Sequence, residues 1–139
     1  MLELTNVRKT FNKGTINEKK ALNGISLSLN DGDFVTVIGG NGAGKATMLN
    51  MIAGEYPTDS GKIEIGGINI SRQPEHKRAK YIGRVFQDPM KGTAAGMEIQ
   101  ENMALAFRRG KRRGLGWGIR AKEKDYYRDM LTRLGLGLQ

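Results

Sequence analysis

Between Ile38 and Leu49 the chain reads IGGNGAGKATML, with glycines at 39, 40, 42 and 44 and a lysine at 45. Glycines at this density let the backbone turn so that successive N–H groups converge on an anion, and phosphate oxygens suit such a nest. A helix opening directly afterwards adds unpaired N–H groups and the positive end of its dipole. Lys45 supplies a mobile cation for the β- and γ-phosphates. Gly39-x4-Gly44-Lys45 therefore has the pattern of a phosphate loop, with one departure. Ala46 stands where a serine or threonine hydroxyl is expected to hold magnesium. Its methyl group offers no oxygen to a hard cation. Thr47 is rotated by about 100° from that position on a helix, so its hydroxyl points elsewhere. Weakened magnesium dependence with retained nucleotide binding is the expectation.

Such a loop needs a strand before it and a helix after it. Phe34 to Ile38 (FVTVI) is nearly continuous and β-branched, which predicts a strand buried on both faces. Residues 45 to 53 read as a helix with Met48, Leu49, Ile52 and Ala53 apolar, stopped by Gly54. Upstream, LELTNV and ISLSLN alternate; Ile25, Leu27 and Leu29 share one face and Ser26 and Ser28 the other. KIEIGGINI repeats the pattern, with Ile63 and Ile65 opposite Glu64 and a turn at Gly66-Gly67. These segments predict a small antiparallel sheet with one solvated face. Further on, Pro74 to Lys80 reads as a short helix and Ile82 to Phe86 (IGRVF) as a second buried strand. The period then turns helical: Ile99, Met103, Ala106 and Phe107 share one face, and Tyr127, Met130, Leu131 and Leu134 another.

Glycine makes up 20 of 139 residues, about twice the usual share of ~7%, so glycine patterns alone carry reduced weight. The strand and helix flanking the loop restore it. The formal charge of +9 favours polyanionic partners. Cysteine is absent, which excludes disulfides and thiolate metal sites. No apolar run approaches the roughly 18 residues of a membrane span, and MLELTNVRKTF lacks the hydrophobic stretch of a signal peptide.

Taken together, these motifs resemble the nucleotide-binding subunits of ATP-binding cassette (ABC) transporters over the whole chain. GGNGAGKAT, from Gly39 to Thr47, is similar to their GGNGAGKST phosphate loop. VFQDP, from Val85 to Pro89, resembles their Q-loop, and NVRKTF, ending at Phe11, the segment whose aromatic stacks on adenine. ALNGISLSLNDGDFVTVIG resembles the strands leading into the loop, and TDSGKIEIGG the antiparallel subdomain that follows. The fold this implies is α/β: a P-loop NTPase of the ABC ATPase type, with an antiparallel β subdomain and the beginning of a helical one. Residues 1-88 would form the β subdomain and P-loop core, and 89-139 the start of the helical subdomain.

The resemblance also implies roles. Gly39, Gly40, Asn41, Gly42, Ala43, Gly44, Lys45, Ala46 and Thr47 would surround the phosphates of ATP, with Thr47 approaching the α-phosphate. Phe11 would stack on adenine, and Gln87 would approach Mg2+ and the attacking water. On their own residues, Phe11 also reads as an ordinary sheet residue and Gln87 as a polar residue at a strand end. His76, the only histidine, lies beside Lys77 and Arg78 and reads as solvated.

Other parts of the family pattern are absent. There is no Leu-Ser-Gly-Gly-Gln signature, no apolar strand ending in Asp-Glu after Gln87, and no switch histidine. The chain thus resembles the N-terminal half of such a subunit, truncated within the helical subdomain, and hydrolysis by this chain alone is not expected. Strands 34–38 and 82–86 would then expose unpaired edges and apolar faces, an aggregation hazard. Implied partners are transmembrane transporter subunits and a second nucleotide-binding subunit. The implied location is cytoplasmic, peripheral on the inner face of the cell membrane. Arg108 to Lys122 carries seven basic residues and no acidic one. It reads as a solvated connection between helices, as a contact to anionic lipid or a membrane partner, or as a nucleic-acid patch with Trp117 to stack. No specific nucleic acid is expected. The alternative to a transporter subunit is a non-hydrolysing nucleotide-binding or basic interaction module.

Overall fold

A computed structural model describes residues 1–111, 118–135 and 137. The chain forms two compact units, Met1–Ile82 and Gly83–Gln139.

The first unit is built on an antiparallel sheet of β1 (Leu2–Phe11), β2 (Lys19–Leu29), β3 (Ser60–Ile65) and β4 (Ile68–Asn69), in the order β2-β1-β3-β4. The predicted alternation holds in β2, where Ile25, Leu27 and Leu29 are half-buried and Ser26 and Ser28 exposed. In β1 it slips. Leu4 and Val7 are three residues apart yet both buried, because the register shifts between them at Asn6, whose φ is 47°. Asparagine tolerates this left-handed conformation better than most residues. Opposite the bulge, Gly61 (φ 89°) passes so close that a Cβ there would lie 2.4 Å from the Asn6 carbonyl oxygen.

Helix α1 (Lys45–Ala53) lays Met48 and Met51 on Leu4, Val7, Leu22, Ile63 and Ile70, forming the core of this unit. Burying each such side chain contributes about 1.5–3 kcal/mol. The helix ends as predicted at Gly54, in the left-handed conformation with its N–H donating to the Asn50 and Met51 carbonyls. Its buried face differs from the predicted one. Leu49 is 55% exposed, whereas Met51 is in the core. Arg78 ends the short helix α2 (Glu75–Arg78) and is only 1% exposed. Its guanidinium donates to the carbonyls of Met51 (2.7 Å), Ile52 (3.0 Å), Ser71 (3.0 Å) and Gln73 (2.7 Å). Desolvation pulls its pKa below the ordinary value.

The two predicted buried strands are not formed. Phe34–Ile38 has no strand assignment, with Phe34 94% and Ile38 89% exposed. Residues 82–86 are likewise irregular; Ile82 packs on the core, but Val85 is 97% exposed. Both stretches have the composition of central strands, but no strand among the described residues pairs with them. A lone strand leaves its backbone groups and both faces to water.

The second unit holds α3 (Ile99–Phe107) and α4 (Ala121–Leu134). Glu98 and Glu101 cap α3 reciprocally. Asn102 ties the preceding loop down: its side chain accepts from the Ala94 N–H (2.7 Å) and donates to the Ala94 carbonyl (3.1 Å). Arg108 forks onto both carboxylate oxygens of Glu123, at 3.1 and 2.8 Å. The Arg120 N–H and this fork hold the Glu123 carboxyl below its ordinary pKa. The apolar faces differ in part from those predicted. Tyr127 is buried as expected and Ala104 is buried as well, while Ile99, Phe107, Met130 and Leu134 are exposed. Phe107, Tyr126 and Tyr127 stack instead as an aromatic cluster, with centroids 5.8 to 6.2 Å apart from Phe107. Trp117, Arg112 and Arg113 of the basic segment lie outside the described residues.

Candidate functional site

The glycine loop occupies residues 39–44 and opens α1 directly. Two of its glycines are required by conformation. Gly42 has φ 81° and Gly44 φ 86°, values that side chains rarely adopt. At Gly44 space is also closed: a Cβ would meet the Ala21 carbonyl oxygen at 2.5 Å and Leu22 Cδ2 at 2.9 Å. This contact seats the mouth of the helix against β2. No side chain caps the helix and its first turn has no acidic residue, so its terminal N–H groups are left for an anion.

Lys45 folds back over the loop. Its ammonium donates to the carbonyls of Gly39 and of Gly40, the latter at 2.8 Å. Gly39 makes room for this, since a Cβ there would lie 3.2 Å from that of Ala43 and 3.8 Å from Lys45 Cδ. Asn41, Gly42 and Ala43 are exposed around the rim, and the Ala43 N–H donates to the Gly40 carbonyl (3.2 Å). Glycine backbone, helix terminus and ammonium thus fit a polyphosphate. The metal position fits less well: Ala46 is exposed and offers no oxygen, and Thr47 is half-buried one residue further on. Among the described residues no group of three or more His, Cys, Asp or Glu could hold a metal ion.

Phe11 ends β1, half-buried. Its ring meets Tyr56 edge to face, with centroids 5.3 Å apart at 83°, and the Lys9 ammonium lies 5.5 Å from its centroid. Across the ladder Phe11 faces Lys19. The Lys19 ammonium is 3.7 Å from where a Cβ on Gly42 would stand, so the strand pair brings beside the loop a cation that the sequence reading had not singled out. Its signal was a register two strands wide, and the bulges in β1 hide that register from any count of residues. Gln87 belongs to the second unit, where it is exposed just before a 3-10 turn, Pro89–Lys91, capped by the Asp88 carboxylate. His76 is exposed, as predicted.

Residues 22–139 match the family model described as ABC transporter. The chain belongs to the ABC transporter family. It is 38% identical over 125 residues to a tyrosine transport ATP-binding protein of Clostridioides difficile, covering 90% of this chain and 50% of that protein. It is also 38% identical over 107 residues to an energy-coupling factor transporter ATP-binding protein of Mycoplasma mobile, covering 77% of this chain and 38% of the relative. Among solved structures it is similar to an ATP-binding cassette determined as a dimer in a post-hydrolysis state with ADP and Pi. That similarity has a TM-score of 0.75 and 29% identity over 95% of this chain and 56% of the other. A nucleotide-free cassette matches with a TM-score of 0.65 at 29% identity, covering 91% and 45%. The chain therefore spans about half the length, or less, of these relatives. Family membership makes this a P-loop NTPase fold with a nucleotide site, of which the antiparallel sheet, the loop and α1 are present.

Proposed function

We propose that this chain is the ATP-binding part of a transporter subunit, with residues 1-88 as β subdomain and P-loop core and 89-139 as the start of the helical subdomain. The observation that carries the reading is the Lys45 ammonium folded onto the Gly39 and Gly40 carbonyls at the uncapped mouth of α1. Gly39, Gly40, Asn41, Gly42, Ala43 and Gly44 would wrap the phosphates, Lys45 would turn from its carbonyls to the β- and γ-oxygens, and Thr47 would assist. Phe11 would stack on adenine, and Gln87 would contribute an oxygen toward Mg2+. Bound magnesium screens phosphate charge. With Ala46 in place of a hydroxyl it would rely more on water, which Mg2+ retains readily.

Hydrolysis is not assigned to this chain alone, because its sequence has neither the signature motif nor a carboxylate-ended strand after Gln87. The proposed partners are membrane-embedded subunits and a second nucleotide-binding chain. The proposed location is the cytoplasmic face of the membrane. No helix among the described residues is long and apolar enough to cross a membrane. The test is a titration of the 139-residue chain with ATP, with and without Mg2+. Saturable binding that Lys45→Ala abolishes supports the reading, and a folded chain that binds nothing sinks it. Ala46→Ser is expected to increase the gain in affinity on adding Mg2+; no change would refute the account of Ala46.

A further inference from the structure

We propose that Lys19 is a second phosphate-binding cation of this loop, adding positive charge beside the loop where Ala46 offers the metal no oxygen. The inference rests on the nucleotide reading above and deepens it. Three observations carry it. The Lys19 ammonium stands over the rim of the loop, 3.7 Å from the position of a Gly42 Cβ. Its charge is uncommitted among the described residues: it enters no hydrogen bond or ion pair there, and neighbouring Glu18 is turned away to accept the Gly14 N–H at 2.8 Å. Finally, Lys19 pairs with Phe11 across the ladder, and directly opposed residues project on the same face of a sheet. The ring proposed for the base and the ammonium proposed for the phosphates therefore lie side by side.

The chemistry answers the deficit at Ala46. A nucleoside triphosphate brings several negative charges, which a loop with a hydroxyl-held cation would share with the metal. Here the loop lacks that oxygen, and a second ammonium beside Gly42 supplies positive charge without one. Charge-assisted N–H···O contacts to phosphate are among the stronger polar interactions, and a lysine makes them as a point charge from a flexible stem. Lys19 is exposed, so its substitution leaves the core of the sheet untouched.

The test is calorimetric titration with ATP and AMP in EDTA, comparing the wild type with Lys19→Met, Lys19→Arg and Lys45→Ala. Lys19→Met keeps the aliphatic stem and removes the charge. It should weaken ATP binding about tenfold, with a smaller effect on AMP, and the deficit should shrink as salt rises. Lys19→Arg should restore most of the affinity, which a merely structural role for the stem would not require. Unchanged ATP affinity in Lys19→Met, with binding still abolished in Lys45→Ala, would overturn the assignment and leave the phosphate loop standing. Unchanged affinity in Lys45→Ala would overturn both.

Discussion

Residues 25–29 and residues 34–38 lie only a turn apart and are both rich in strand-forming side chains, yet they meet opposite fates. The first is half of a ladder: Ile25, Leu27 and Leu29 pair with β1, and Ile25 and Leu27 pack against the core. The second is the more hydrophobic, and it lies open, with Phe34 and Ile38 almost wholly exposed. Hydrophobicity is therefore not what decides burial in this chain. An alternating strand needs one covered face and one neighbour, and β1 with α1 provides both. A continuous apolar strand needs two covered faces and a neighbour on each edge. Among the described residues these are not supplied.

The sharpest way to break this comparison is to cut equally into both regions. Ile63→Ala, in the paired sheet, should cost about 2–5 kcal/mol of unfolding free energy in urea. Equal losses from Ile63→Ala and from a change at Phe34 would mean that residues 34–38 are packed in solution. A middle-sized effect is expected at Asp59, which joins the sheet to the loop before β3. Its carboxylate takes the Lys9 ammonium at 3.0 Å and the Thr10 N–H at 2.6 Å. Partial burial alone would raise its pKa, but the Thr10 N–H and Lys9 outweigh that and hold it below the ordinary carboxylate value. A depressed pKa contributes stability above the unfolded-state value and loses it as pH falls through the folded-state one. Because the carboxylate is 39% exposed and solvent screens it, Asp59→Asn should then cost only about 0.5–1 kcal/mol at neutral pH, and its urea midpoint should converge with that of the wild type in acid. A gap that persists at low pH would show that the side chain acts by packing instead. The smallest effect belongs to Phe34→Ser, expected to change stability by less than about 0.5 kcal/mol. Its readout is self-association by sedimentation, which should fall as the apolar surface shrinks.

Local pattern revealed the parts of the molecule whose partners are near in sequence. The alternation at Ile25–Leu29, the turn at Gly66-Gly67 and the stop at Gly54 each follow from a few adjacent residues. So does the loop, because a phosphate nest is made of consecutive backbone groups. What stayed hidden depends on distant atoms. Arg78 sits in a run of charged residues that reads as solvated, and it is buried only because carbonyls from Met51, Ile52, Ser71 and Gln73 converge on it. Met51 displaces Leu49 from the core because the position of the sheet, not the helical period alone, selects the buried face. Lys19 reaches the loop through a ladder whose register is reset by the bulge at Asn6.

The buried guanidinium of Arg78 holds the last carbonyls of α1, and Gly44 wedges the opposite end against β2. A rod clamped at both tips cannot recoil. On the proposed reading, charge settling at its mouth would load the sheet instead of swinging a hinge, and the moving parts would be lysine side chains. Such a side chain reorients in picoseconds to nanoseconds when exposed, far faster than a backbone segment refolds. A pocket of this kind would be cocked rather than assembled: its geometry would precede its guest, and only the latches would move.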